Sequence, residues 1–241
     1  MHNLASTKFY QGKLEEAAAL QEEVLLKTKQ ILGENHPDTL TSMHNLASTY
    51  CAQGRVNEAA TLQEEVVPKM KQILGDKHPH TLTSMNNLAL KRVDQGKLEE
   101  AVALQGEGLQ KTEEFLGNNH PHTVKAMRNL AGIYREQGKL EEAAMLEEQV
   151  LEKMKEIHGD NHPDIVRSMN NLGVTYWRQG NKSAALQEEV VHKSRQINGD
   201  NHPATLISME NVAAVYWDLG RIQEAATLQE QLDKLKGEKE G

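Results

Sequence analysis

Between Pro37 and Gly75 the apolar residues fall on two helical stripes. Leu40, Met43, Leu46, Ala47 and Tyr50 follow at steps of three and four, which places them on one face of a helix. Pro37 suits the first turn, where its missing N–H costs nothing. Gly54 ends the stripe, because glycine tolerates the left-handed conformation that closes a helix. A second stripe follows through Val56, Ala59, Ala60, Leu62, Val66, Met70 and Leu74, and Gly75 stops it. Ala47 and Ala59 are small enough to let the two helices approach closely. One such pair buries too little to stand alone, so neighbouring pairs must stack and share a core.

The pattern recurs along the whole chain. His-Pro pairs stand at His36-Pro37, His78-Pro79, His120-Pro121, His162-Pro163 and His202-Pro203, spaced by 42, 42, 42 and 40 residues. Turn glycines keep the same phase at Gly12, Gly54, Gly96, Gly138, Gly180 and Gly220. So do the asparagines Asn3, Asn45, Asn87, Asn129, Asn171 and Asn211, each followed by an apolar and a small residue. Three markers in one phase define repeat units of approximately 1–33, 34–75, 76–117, 118–159, 160–199 and 200–241. They read as a single solenoid domain over 1–241, with helix A before each turn glycine and helix B after it.

The string LG-x-x-HP-x-T … NLA-x-x-Y-x-x-QGK-x-x-EA, seen from Leu116 through Tyr134 to Ala143, resembles the tetratricopeptide repeat (TPR) family. Its length is that of the kinesin light chain-like branch. Closely matched repeats of this kind are similar to the C-terminal arrays of fungal nucleotide-binding receptor (NLR-like) proteins, although no nucleotide-binding domain is present here. The resemblance implies an all-α fold, a right-handed TPR superhelix (α-solenoid) of about six antiparallel helix pairs, with the A helices lining an inner groove.

Several positions break the pattern. Lys8 and Arg92 replace the helix-A tyrosine found at Tyr50, Tyr134, Tyr176 and Tyr216. Pro68 falls inside a B helix, where it removes a hydrogen bond at a cost of roughly 3 kcal/mol unless the helix kinks. Gly106 and Gly108 lie inside the next B helix, which makes the third repeat the weakest on propensity. Two residues are missing between Gly180 and Leu186, so an altered packing angle is expected there.

Composition narrows the function classes. Ala, Leu, Glu, Lys and Gln dominate, with only two Trp and two Phe, so small contacts repeated many times must replace one aromatic-rich core. A net charge of −8 repels phosphate and speaks against a general grip on nucleic acid. Cys51 is the only cysteine, which excludes an internal disulfide and thiolate-rich zinc sites. No apolar run reaches the roughly 20 residues of a membrane span, and no signal peptide is evident, so a cytoplasmic protein is expected.

No catalytic constellation emerges. The loop histidines sit one repeat apart, and the pairs His78–His80 and His120–His122 have no evident third ligand, so they are read as turn caps rather than metal sites. The segment from Gly132 to Lys139 has the wrong spacing for a phosphate loop and ends a helix. Glu pairs such as Glu15-Glu16 and Glu64-Glu65 repeat on a polar face beside lysines and read as solvated surface. No enzyme activity, cofactor or metal is expected.

A binding face is. The resemblance places Asn45, Asn87, Asn129, Asn171 and Asn211 along the groove, where family members with such asparagines hold the backbone of an extended peptide. An amide suits that task because it both donates and accepts. Neighbouring groove positions differ between halves: His2, His44, Ser48, Asn86, Leu90 and Asp94 in the first, Lys125, Arg128, Arg135, Arg167, Arg178, Trp177 and Trp217 in the second. Arginine pairs bidentately with carboxylates and tryptophan adds stiff contact area, so repeats four to six are expected to take a protein or peptide segment with acidic and bulky apolar residues. Glu136, Glu210 and Asp218 lie near enough to neutralise part of the basic set. The two-carboxylate clamp of chaperone-binding family members is not matched, since His44 and Ser48 stand where it would begin. The alternative is a structural scaffold, a homo-oligomer formed through open solenoid ends, because the first helix starts mid-way and the chain closes on a polar run.

Overall fold

The computed structural model describes residues 2–180 and 184–237. The two-residue shortening after Gly180 lies outside the described residues, as do the last residues of the polar run and the side chain of His2. Among the described residues every regular element is a helix. The A helices are α1 (His2–Tyr10), α3 (Pro37–Ala52), α5 (Pro79–Asp94), α7 (Pro121–Glu136), α9 (Pro163–Arg178) and α11 (Pro203–Asp218). The B helices are α2 (Leu14–Leu32), α4 (Val56–Ile73), α6 (Leu98–Leu116), α8 (Leu140–His158), α10 (Ala184–Asn198) and α12 (Ile222–Gly237).

The His-Pro signature explains where each A helix starts. Proline occupies the first turn, and the Nδ1 atoms of His36, His78, His120, His162 and His202 each accept from the backbone N–H two residues on, at 3.1–3.2 Å. Each imidazole thereby satisfies one of the amides that a helix start leaves unpaired. The threonine of the same signature ties the loop back: Thr39, Thr123 and Thr205 donate to the carbonyls of Gly33, Gly117 and Gly199 at 2.7–2.8 Å. Gly54, with φ +76°, turns the chain from α3 into α4 in the left-handed region.

The helices form two compact units, Met1–Ala126 and Met127–Gly241. In the first, each helix from α1 to α6 packs on its neighbours in the chain, and α3 also touches α5. Its core is built from Leu40, Met43, Met70 and Met85, all fully buried, with Ala47, Ala59 and Ala89 at the close approaches. Burying each of these larger side chains contributes about 1.5–3 kcal/mol. In the second unit α8 packs on α9, α9 on α10, α10 on α11 and α11 on α12, and α9 touches α11. There Val191, Leu206, Met209, Val212 and Leu232 form a buried cluster.

A polar link joins α2 to α3, α8 to α9 and α10 to α11. Tyr50 donates to Glu22 at 2.7 Å and Tyr216 to Glu188 at 2.8 Å, and Tyr176 bonds Glu148 in the same way. Arg92 does not leave this position empty: its guanidinium contacts Glu64 at 2.8 Å and Glu100 at 3.0 Å. Lys8 likewise pairs with Glu16 at 2.6 Å. Pro68 sits on the exposed side of α4, which runs through it from Val56 to Ile73.

Candidate binding face

Side chains of the A helices divide into a buried stripe and a face left open. On α9 the open positions carry Arg167 and Arg178, with Asn170, Asn171, Val174 and Trp177 half-buried. On α11 they carry Ile207, Glu210, Ala214, Trp217 and Asp218, all exposed. Trp177 and Trp217 occupy equivalent places, yet they are held differently. Trp177 donates its indole N–H to Asp218 at 2.7 Å, whereas half of the Trp217 surface meets solvent.

The asparagines Asn45, Asn87, Asn129, Asn171 and Asn211 are all half-buried. Asn211 donates to Asn170 at 3.4 Å, and Asn170 donates to Ser208 at 2.7 Å, so a side-chain relay crosses from α9 to α11. The first unit has a counterpart: His44 Nδ1 and Ser84 Oγ meet at 2.6 Å between α3 and α5. His44 is therefore buried between helices rather than open on a groove. Burial, with His80 adding to it, pushes its pKa down to about 4 from the ordinary 6.5. The signal for these contacts is the serine that follows at the next A helix, Ser84 after His44 and Ser208 after Asn170.

The basic residues do not share one environment. Arg135 turns into the packing and contacts Glu147 of α8 at 3.0 Å, a carboxylate that is 3% exposed. Burial raises the Glu147 pKa, while a hydrogen bond from Thr175 and the charge of Arg135 pull it back. Arg178 lies 3.6 Å from Glu136, and Arg167 pairs with Asp164. Arg128 is half-buried, and its Nε–H is buried without a hydrogen-bond partner. Burial lowers its pKa, and so does the charge of Arg167, against a smaller opposing pull from Asp164. Lys125, in the first unit, is exposed and makes no ion pair among the described residues. Of the acidic residues nearby, Glu210 is engaged by Lys236 at 2.7 Å.

Among the described residues one cluster could hold a metal. His158, His162 and Asp164 offer ligand atoms within 4.8 Å of one another, and the two imidazoles stack with centroids 4.1 Å apart. Two of the three groups are already committed. Nδ1 of His162 accepts from the Asp164 N–H, and the Asp164 carboxylate pairs with Arg167, so an ion would have to displace part of this arrangement. His158 stands where the other repeats carry Leu32, Leu74, Leu116 and Asn198, and the His-Pro spacing does not reveal it. Among the described residues no helix is long and apolar enough to cross a membrane.

Solved structures share this architecture. The kinesin light chain-like, nearly identical TPR-like repeats of Podosopora anserina are 31% identical over 85% of this chain and 98% of theirs, with a TM-score of 0.73. BtubC (BKLC) from P. vanneervenii superimposes with a TM-score of 0.77 at 19% identity, covering 95% of this chain and 92% of its own. NprR in complex with its cognate peptide NprX gives 0.62 at 18% identity over 98% and 68% of the two chains. Among curated proteins no sequence matches. Repeat proteins of this type are generally non-catalytic scaffolds for protein interaction. Tetratricopeptide repeat models match residues 1–72, 43–114, 92–156, 148–189 and 205–232, and the chain belongs to the tetratricopeptide repeat family, with repeats of the kinesin light chain-like kind.

Proposed function

We propose that this protein is a non-catalytic interaction module, and that the open A-helix face of its second unit binds an extended segment with acidic and bulky apolar residues. The observation that carries this reading is Arg128. A half-buried guanidinium with an unpartnered Nε–H, set in the field of Arg167, has more positive charge around it than Asp164 offsets. A partner carboxylate would supply the missing acceptor, and charge-assisted bonds of this kind are the strong ones. Ile207 and Trp217 stand exposed on the same unit and offer apolar area to an adjacent side chain. NprR, which shares the fold, was solved with a bound peptide, and that supports the mode of use.

Capture from a lysate, comparing the native chain with an Arg128→Glu, Arg167→Glu double variant, tests this. The expected result is a partner held by the native chain and lost by the variant, with an acidic segment mapping to the contact. Equal capture by both would remove these arginines from the site. Capture by neither, with a mass that rises with concentration in light scattering, would favour a self-associating scaffold.

A further inference from the structure

Five of the six B helices place a branched apolar residue three positions after the central Gln or Glu: Val24, Val66, Val150, Val190 and Leu232. The last four of these are 0–2% exposed. Helix α6 has Gly108 there instead. A Cβ at Gly108 would meet only the Met85 methyl, at an ordinary 3.9 Å, so space for a side chain exists and is unfilled. Beside it lies a cavity of about 370 Å³, walled by Leu82, Thr112, Phe115, Leu116 and Gly108 itself. All of these residues belong to the first unit.

Gln105 and Lys125 are among the polar residues that line this space, with Thr83, Asn86, His120 and His122. Gln105, 2% exposed, lines the cavity and donates its Nε2 to the Ala126 carbonyl at 3.1 Å, leaving its buried Oε1 without a donor. Gln21, Gln63 and Gln187 also leave a buried carbonyl unpaired, but valines follow them at the place that Gly108 vacates. Lys125 borders the cavity as well, exposed and without an ion pair among the described residues. A buried acceptor, mostly apolar walls and an exposed cation specify a ligand with complementary parts.

We propose that this cavity binds a small aromatic acid: a flat ring carrying one N–H or O–H donor on its buried edge and a carboxylate at its exposed end. The ring fills the volume left by Gly108, the donor bonds Gln105 Oε1, and the carboxylate pairs with Lys125. One free molecule satisfies all three groups, so the site does not depend on the peptide face described for the second unit.

Ligand-observed NMR and calorimetric titration of the full chain test the proposal, using indole-3-carboxylate and the donorless naphthalene-2-carboxylate as probes. The native chain is expected to bind the indole about tenfold or more tightly than the naphthalene, the discrimination that an unmet buried acceptor gives. Gly108→Val, checked for unchanged helicity by circular dichroism, is expected to bind neither. No binding to the native chain at millimolar probe, or equal binding by native and Gly108→Val chains, overturns the site. Equal binding of the two probes by the native chain overturns the role given to Gln105.

Discussion

Gln187 fills the space that a side chain at Gly173 would need: a Cβ there would stand 2.2 Å from its Nε2 and 2.7 Å from its Cδ. The other repeats carry Ala5, Ala47, Ala89, Ala131 and Ala213 at this place, all buried. In each of them the central Gln or Glu follows the alanine by 16 residues; Gln187 follows Gly173 by 14. Glycine thus accompanies the repeat whose sequence is two residues shorter between these two positions.

An alanine in a helix normally gains about 1 kcal/mol over glycine. At position 173 the gain is reversed, because Gln187 is 2% exposed and must give up a packed position. Gly173→Ala is expected to destabilise by about 1–2 kcal/mol, as overpacking does. In a Gln187→Ala background the same change should stabilise. Urea unfolding of the four chains of this cycle measures the coupling; a stabilised Gly173→Ala single variant would contradict it.

What the chain revealed in advance follows from what is local. Helix starts and stops were readable because Pro37 and Gly54 act through their own backbone, and the apolar stripes because a 3.6-residue period needs no partner. Polar side chains were not readable in the same way. Arg135 and Arg178 both read as groove cations, yet one lies on a buried glutamate of α8 and the other on the exposed Glu136. His44 was expected to face outward and instead meets Ser84, because the next A helix covers it. Gly108 reads in the sequence as a cost in propensity; its consequence as missing volume needs the neighbouring helices in place.

Pro68 removes the N–H that would bond the carbonyl of Glu64, but both residues are exposed and water can reach that carbonyl. The helix therefore continues at a cost in stability rather than ending. Gln110 occupies the equivalent place in α6, so Pro68→Gln is compatible with the packing. A gain of about 1–3 kcal/mol is expected, up to the full penalty for proline inside a helix. Thermal unfolding checks it, and an unchanged or lower Tm would show that the fold compensates for the proline elsewhere.

Arg135→Ala is expected to act through stability before it touches binding. It leaves the Glu147 carboxylate buried without its ion-pair partner, and Oε2 already lacks a hydrogen bond. Removing one partner of a buried pair costs about 3 kcal/mol. Gln21, Gln63, Gln105 and Gln187 occupy the matching places in other repeats, so adding Glu147→Gln should recover most of the loss. The defect of the single variant should shrink in acid, because protonation removes the stranded charge. Denaturant melts at pH 7 and pH 5 distinguish this from a groove role, in which stability would not change.

His44 gives the first unit a pH dependence with a definite sign. Its pKa is about 4 in the fold against 6.5 ordinarily, lowered by burial and then by His80, whose ring lies 5.8 Å away with His78 beyond it. Between these values the unfolded chain binds a proton that the folded chain does not, so stability rises with pH across the window. The contribution is complete above about pH 6.5 and is lost as pH falls toward 4, reaching about 3 kcal/mol in all and about 2 kcal/mol by pH 5. His44→Asn removes the titrating group while keeping a bond to Ser84, as Asn170 does with Ser208. The native chain should therefore lose about 2 kcal/mol more than His44→Asn between pH 7 and pH 5 in urea unfolding. Parallel losses in the two chains would mean that His44 is protonated in the folded state, and the hydrogen bond to Ser84 would then have to run from imidazolium to hydroxyl.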